Sequence, residues 1–208
     1  MKTVLIADDH EIVRRGVRMI IESISPEYQF IEAATCAEVI QKLSDEKIDY
    51  AVLDMFLTDG NIFSCIQQIT ASSQHTNILI YSMNAERVYA RRFIEKGVRG
   101  FVCKQNPIEE LEKAIRTVLN GEIYLSQELK ESLFGAAAAD QPGNPIDLLS
   151  DRELEVTEYV AMGMGSKEIA QKMNLDITTV STYRRRAFEK LNVENMIELK
   201  EKFLLYKG

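Results

Sequence analysis

Four short stretches of the chain place groups suited to phosphorus chemistry directly after apolar runs. Val4–Ala7 leads into Asp8 and Asp9, Ala51–Leu53 into Asp54, Ile80–Tyr81 into Ser82, and Gly100–Cys103 into Lys104. Carboxylates drawn together repel one another unless a cation intervenes. Mg2+ suits such a set, because it takes one or two carboxylates and fills its other positions with waters and phosphate oxygens. Asp8, Asp9 and Asp54 are the candidate ligands. Asp54 could attack phosphorus as a carboxylate nucleophile. Lys104 could neutralise an incoming phosphoryl group, and the Ser82 hydroxyl could donate to one of its oxygens. Singly, each residue has an ordinary explanation: acids favour helix N-termini, Asp favours turns, and a lone Lys is solvated. Their shared position at the ends of successive apolar runs is what carries the argument.

The elements that must hold these groups follow from periodicity. The spacing predicts strands at Thr3–Ala7, Gln29–Ala33, Tyr50–Leu53, Ile78–Tyr81 and Gly100–Cys103, each short and apolar like a buried parallel strand. Amphipathic helices lie between them. Val13, Val17, Ile20, Ile21 and Ile24 recur at helical spacing, as do Ile108, Leu111, Ile115 and Val118. Thr35 with Glu38 reads as a capping box, and Asn106 with Pro107 as an N-cap followed by proline at the first helical position. Five such units imply a five-stranded, doubly wound parallel sheet of the flavodoxin-like kind. Ligands of such sheets bind beyond the carboxyl ends of the strands, where the acids and Lys104 stand.

The pattern breaks after Gly121. Ser126 could cap a short helix through Leu133, and the Gly-, Pro- and Ala-rich run Gly135–Pro145 reads as a linker. From Leu149 the chain is helical throughout. Ser150 and Glu153 form a capping box, a short helix spans about Ser166–Met173, another about Thr178–Leu191 with Asp176 or Ile177 near its cap, and Asn195 with Glu198 caps a last one. Gly163 and Gly165 separate the first pair, as in a helix-turn-helix. The domains are therefore 1–122, a linker 123–147 with a possible short helix, and a smaller all-α domain 148–208. In the helix from Thr178, one face carries Val180, Ala187, Phe188 and Leu191 and suits a core. The other carries Ser181, Thr182, Arg185 and Glu189, with Arg186 at its edge, and could enter a DNA major groove.

The net charge of −7 lies entirely in the first two thirds, because residues 148–208 hold ten Lys/Arg and ten Asp/Glu. The basic triplet Arg184, Arg185 and Arg186 stands in that neutral part, which is compatible with binding DNA. The three cysteines, Cys36, Cys65 and Cys103, fit neither a zinc site nor a CxxC pair. No apolar run approaches the ~18 residues of a membrane span. The expectation is a soluble cytoplasmic protein with reduced thiols.

Residues 1–122 resemble the receiver domain of two-component signalling. The matching segments are Val4-Leu5-Ile6-Ala7-Asp8-Asp9-His10, Ala51-Val52-Leu53-Asp54, Ile80-Tyr81-Ser82 and Gly100-Phe101-Val102-Cys103-Lys104. Residues 148–208 resemble the C-terminal domain of the NarL/FixJ (LuxR-type) regulators. That match rests on Leu149 to Val156, Gly163, Lys167-Glu168-Ile169-Ala170, Thr179 to Thr182 and Lys190 to Val193. The first resemblance implies Asp54 as phosphoacceptor, and Mg2+ held by Asp8, Asp9, Asp54 and the backbone carbonyl of Phe56. It implies Ser82 as switch hydroxyl and Phe101 as switch aromatic. The second implies that Ser181, Thr182 and Arg185 face the groove while Lys167, Thr179, Arg184 and Lys190 contact phosphates. Together they imply a sensor histidine kinase and double-stranded DNA as partners. They also imply a homodimer when phosphorylated or DNA-bound, and no catalysis beyond the receiver's own phosphoryl transfer and loss. Some positions depart from the pattern. Thr58 replaces a common proline and Ile62 a common glycine, while Ser181 and Tyr183 stand where Lys and His are frequent. A haloacid dehalogenase-style phosphatase would carry a second Asp two residues after Asp54, where Phe56 stands.

Overall fold

The structure is a computed structural model that describes residues 2–135 and 144–207. Two compact units emerge, Met1–Ala137 and Ala138–Gly208. The first is built from β1 (Lys2–Ala7), α1 (Glu11–Ile24), β2 (Tyr28–Ala33), α2 (Cys36–Asp45), β3 (Tyr50–Leu53), β4 (Phe56–Leu57), β5 (Gly60–Asn61), α3 (Ile62–Ser72), β6 (Asn77–Ser82), α4 (Glu86–Glu95), β7 (Gly100–Cys103), α5 (Ile108–Leu119) and α6 (Gln127–Gly135). The large sheet has the order β2-β1-β3-β6-β7 and all its pairings are parallel. This is the doubly wound sheet expected from the sequence, with strand ends shifted by one residue at three of the five strands. The pair β4–β5 is a short antiparallel hairpin that periodicity did not reveal.

Strand alternation divides the core in two. Val4, Ile6, Tyr50, Val52, Leu79 and Val102 pack with Val17 and Ile21 of α1 and with Leu111, Ala114, Ile115 and Val118 of α5. The alternate positions Leu5, Ala51, Leu53, Ile78, Ile80 and Phe101 are equally buried. There Phe93 of α4 lies between Phe63 of α3, at 5.1 Å, and Phe101 of β7, at 5.8 Å.

The packed part of the first unit runs past residue 122. Tyr124 belongs to its core and Leu129 of α6 is buried. A Cβ on Gly100 would come within 2.9 Å of Leu79 Cδ1 and 3.1 Å of Tyr124 Cβ, so any larger residue would push these neighbours aside. The Ser126 hydroxyl accepts from the Leu129 N–H at 3.1 Å and starts α6, as expected. Of the expected linker run 135–145, residues 136–143 lie outside the described residues.

Two caps differ from expectation. Pro107, not Asn106, is the residue before the first turn of α5. Its φ of −54° and ψ of 149° are extended rather than helical, and its carbonyl accepts from Glu110 N–H. At α2, Thr35 accepts from Glu38 N–H, but the Glu38 carboxylate reaches back to Ala34 N–H, one residue beyond the reciprocal partner of a capping box.

The second unit comprises a 3-10 turn (Pro145–Leu148), α7 (Asp151–Ala161), α8 (Ser166–Met173), α9 (Ile177–Leu191) and α10 (Met196–Lys207). The box of Ser150 and Glu153 is complete. Gly163 has φ +88° just past α7, a left-handed position that favours glycine. Val180, Ala187 and Leu191 of α9 are buried with Leu199 and Phe203 of α10, while Phe188 is half-buried.

Candidate functional site

The registers of the sheet align the acidic residues. Ala7 is paired with Leu53, so Asp8 and Asp54 follow in step, and the Asp54 N–H continues the ladder to Ala7 O at 2.7 Å. These strands flank the point where the strand order reverses, the place where open α/β sheets bind ligands. On the other side Ser82 is paired with Cys103, and Lys104 N–H reaches Ser82 O at 2.7 Å. Asp8, Asp54 and Lys104 each lie two residues beyond Ile6, Val52 and Val102, so strand alternation aims all three side chains the same way.

The three side chains meet. Lys104 Nζ donates to Asp8 Oδ2 at 2.6 Å and to Asp54 Oδ2 at 2.6 Å. Asp8 is 2% and Asp54 8% exposed. Burial pushes the Asp54 carboxyl above the ordinary carboxylate range, and the hydrogen bonds from Lys104 and Ser82 only partly oppose it. Burial works against the Lys104 charge, but its bonds to Asp54 and Asp8 prevail and hold the ammonium above its ordinary value. Ser82 is buried, 1% exposed, beside the strand end that carries Lys104. Phe56 N–H approaches Asp54 Oδ1 at 3.4 Å from the start of the β4–β5 hairpin. Phe101 is buried beside Phe93.

Asp9 is more exposed. Its Oδ1 lies 2.7 Å from His10 Nδ1, which is also 3.3 Å from Asp8 Oδ1. Ligand atoms of Asp8, Asp9 and His10 all fall within 4.8 Å of one another. Asp54 joins this group through Asp8 and Lys104. When all are ionised, Asp8, Asp9 and Asp54 carry three negative charges and Lys104 one positive charge, and the residual charge of −2 matches a divalent cation. Oxygen donors of this kind favour a hard ion such as Mg2+. The residues present therefore fit such an ion.

Sequence reasoning left His10 and Arg14 out of the site. His10 adjoins the acid pair in sequence, which was the available signal. Arg14 Nη1 donates to Asp8 O at 2.8 Å while its Nε holds Glu32 at 2.7 Å, a contact that only the β1–β2 pairing creates. The hairpin after Asp54 is tied down despite Thr58 in place of proline. Thr58 Oγ1 donates to Ala34 O at 3.3 Å, and the Asp59 carboxylate accepts from Cys36 N–H at 2.6 Å and Ala37 N–H at 3.1 Å.

In the second unit Lys167 and Arg185 are exposed, and Thr179, Ser181, Thr182 and Arg184 half-exposed. The hydroxyls of Ser181 and Thr182 donate to Ile177 O and Thr178 O, each at 2.9 Å, which leaves their lone pairs to accept from other donors. Arg184 Nη1 donates to Ser166 Oγ at 2.9 Å and so links α9 to α8. Arg185 pairs with Glu189 at 2.6 Å. Lys190 Nζ lies 2.7 Å from the buried Glu153 Oε2. Burial works against the Glu153 charge, yet Lys190 and Ser150 outweigh it and hold its carboxyl below the usual range.

Residues 4–116 match the family model described as the response regulator receiver domain, and residues 147–201 that of the bacterial regulatory proteins of the luxR family. The oxygen regulatory protein NreC of Staphylococcus epidermidis is 32% identical over 206 residues, covering 95% of this chain and 94% of its own. NreC of Staphylococcus carnosus is 31% identical over the same length. Among solved structures, RcsB of Salmonella enterica serovar Typhimurium, bound to promoter P1flhDC in the presence of phosphomimetic BeF3-, superposes with a TM-score of 0.75. It is 28% identical and covers 100% of this chain and 98% of its own. Another structure of Salmonella typhimurium RcsB gives a TM-score of 0.79 at 26% identity, covering 100% of both chains. No helix among the described residues is long and apolar enough to cross a membrane.

Proposed function

Since the chain belongs to the response regulators that join a receiver domain to a LuxR-type DNA-binding domain, we propose that Asp54 accepts a phosphoryl group from a sensor histidine kinase and that the second unit then controls transcription by binding double-stranded DNA. The observation that carries this reading is the contact of Lys104 with both Asp8 and Asp54 at the strand-order reversal. An Asp54 carboxylate oxygen forms the new bond to phosphorus as the donor's phosphorus–nitrogen bond breaks and the electron pair leaves with the imidazole. Lys104, already within reach of Asp54, neutralises the transferred group. Ser82 donates its hydroxyl to a phosphoryl oxygen.

Asp8, Asp9, Asp54 and the backbone carbonyl of Phe56 are the groups we assign to Mg2+. The ion, when bound, neutralises charge on the phosphoryl oxygens. His10 and Arg14 position the acid pair, Arg14 through the Asp8 carbonyl. Phe101 packs on α4 through Phe93, so a change at Ser82 has a short route to the surface of α4 and β7.

On the DNA side we assign base-edge contacts to Ser181, Thr182 and Arg185, and phosphate contacts to Lys167, Thr179, Arg184 and Lys190. A homodimer presenting two α9 helices to half-sites about one helical turn apart is the assembly that suits this module. The similar protein RcsB has been solved as dimers bound to DNA, which supports the reading. The test is selection of bound duplexes from a random pool with and without beryllofluoride. The expected result is one shared motif, enriched more strongly with beryllofluoride, and loss of that gain in Asp54→Ala. No enrichment, or an equal gain in Asp54→Ala, overturns it.

A further inference from the structure

Thr58 and Asp59 form the turn of the β4–β5 hairpin, in which Phe56 pairs with Asn61 and Leu57 with Gly60. Both turn side chains reach the segment that joins β2 to α2. The Asp59 carboxylate accepts from Cys36 N–H at 2.6 Å on one oxygen and from Ala37 N–H at 3.1 Å on the other. The Thr58 hydroxyl donates to Ala34 O at 3.3 Å. The same segment also meets the opposite flank of the acidic site, because Asp8 N–H donates to Ala33 O at 3.2 Å. Residues 33–37 thus run from the backbone of Asp8 to the hairpin that carries Phe56. The far end of the hairpin is fixed as well: Ile62 N–H donates to Met55 O at 2.8 Å, and Asn61 caps α3 through Phe63 N–H at 2.9 Å. Asp59 is exposed, yet its charge stands where the first N–H groups of α2 lack partners within the helix, a place that favours an anion. Partial burial works against that charge, but the N–H groups of Cys36 and Ala37 outweigh it and hold the carboxyl below the usual range.

Given the Phe56 carbonyl as a Mg2+ donor, the reading proposed above, we infer that Asp59 is a positioning residue for the metal, its carboxylate clamping the hairpin turn to the start of α2 and so fixing the strand of Phe56 relative to Asp8. A proline at position 58 would stiffen the turn from within by fixing its own backbone. Here the hold comes from outside, through hydrogen bonds to the neighbouring segment. Outer groups of this kind orient a ligand without touching the metal. Asp54, Ser82 and Lys104 stand on other strands, so loss of the clamp acts on metal affinity and not on transfer once the metal is saturating.

The experiment is Mg2+ titration by calorimetry of the full-length parent protein, Asp59→Asn, Thr58→Val and Thr35→Ala. Phosphoryl incorporation from a small-molecule donor is followed across a Mg2+ series. An amide in place of the carboxylate accepts from one of the two N–H groups and meets the other with a donor. Asp59→Asn should therefore raise the Mg2+ dissociation constant by about tenfold, the lower end of what loss of such an outer partner costs. Its incorporation at saturating Mg2+ should equal that of the parent. Thr58→Val removes the longer tie and should shift the dissociation constant the same way by a smaller factor. Thr35→Ala loses the acceptor of Glu38 N–H and loosens the start of α2 without touching the hairpin, so it should bind Mg2+ like the parent. Unchanged Mg2+ affinity in Asp59→Asn overturns the inference. So does a loss in Thr35→Ala equal to that in Asp59→Asn, or a fall in incorporation that saturating Mg2+ does not restore. Should urea unfolding show that Asp59→Asn does not fold, unchanged affinity in Thr58→Val overturns it instead. Absence of Mg2+ binding in the parent protein overturns the metal assignment itself, and the clamp with it.

Discussion

The Lys104 ammonium lies 2.6 Å from Asp54 Oδ2 and, on its other side, 2.6 Å from Asp8 Oδ2, so one cation from β7 bridges the acids that follow β3 and β1. Its side chain is 10% exposed, and the two carboxylates it holds are less exposed still. One ammonium thereby holds both Asp8 and Asp54, and in the reaction proposed above it would meet the phosphoryl group on Asp54.

Replacing that cation separates its two tasks. Lys104→Met leaves a site more negative by one charge, so Mg2+ should bind at least as tightly as to the parent protein. Phosphoryl incorporation from a small-molecule donor should fall by about 100-fold, the scale seen when one preorganised donor to a developing charge is removed. Mg2+ titration by calorimetry and a phosphate-affinity gel measure the two effects separately. Weaker Mg2+ binding with unchanged incorporation would contradict the account.

Ser82→Ala tests the hydroxyl. It removes one hydrogen bond to a charged oxygen, worth about 1.5 kcal/mol, or roughly a tenfold loss in the rate of phosphoryl uptake. Incorporation time courses at saturating Mg2+ give the ratio directly.

In the second unit the basic residues should not be equivalent toward DNA. Lys167 is exposed, so Lys167→Met should reduce the slope of log K against log salt by about 0.9. Lys190 must leave the buried Glu153 to reach a phosphate, so Lys190→Met should change the slope less while lowering the stability of the unit. Fluorescence anisotropy across a salt series, with urea unfolding alongside, distinguishes the two variants.

Two glutamates of α7 should show opposite pH behaviour. The Glu153 carboxyl is held down, so its contribution to stability is present above the unfolded value near 4.5 and is lost as pH falls through the lower folded value. Burial instead pushes the Glu155 carboxyl up, against the pull of Arg152. The folded state therefore favours protonated Glu155: its contribution is greatest below the unfolded value and is lost as pH rises through the folded one. Accordingly, Glu155→Gln should stabilise the unit at neutral pH and make no difference in acid, whereas Glu153→Gln should destabilise it at neutral pH. Thermal unfolding of both variants between acid and neutral pH checks the crossover.

The cap of the same helix gives a stability prediction. Ser150→Ala removes the hydroxyl that accepts from Glu153 N–H, while the backbone N–H of residue 150 still reaches the Glu153 carboxylate, and should cost about 1 kcal/mol. Urea unfolding followed by a probe in the second unit measures it.

The main architecture was legible because parallel strands buried on both faces are short, apolar runs, and because Asp8, Asp54, Ser82 and Lys104 end four of those runs or directly follow them. The ends were less legible. At β6, Asn77 and Ser82 are polar and so fall outside an apolar run, yet both stay in register with their neighbours. At α5, Pro107 takes an extended backbone and moves the helix start one residue on. The β4–β5 hairpin has two residues per strand, too few for alternation to show. The contacts of Lys190 with Glu153 and of Arg14 with Asp8 join residues that only the tertiary fold brings together, so no local pattern could reveal them. The helix faces of α9 were legible at Val180, Ala187 and Leu191, because helical spacing alone fixes them.

The most direct measurement is transfer of a radiolabelled phosphoryl group to the full-length protein in the presence of Mg2+, with the labelled site mapped by borohydride reduction of the acyl phosphate. Label confined to the peptide that carries Asp54, dependent on Mg2+ and absent from Asp54→Ala, is the result expected here. Equal labelling of Asp54→Ala, or label on another residue in the parent protein, would contradict the central role given to the carboxylate held by Lys104.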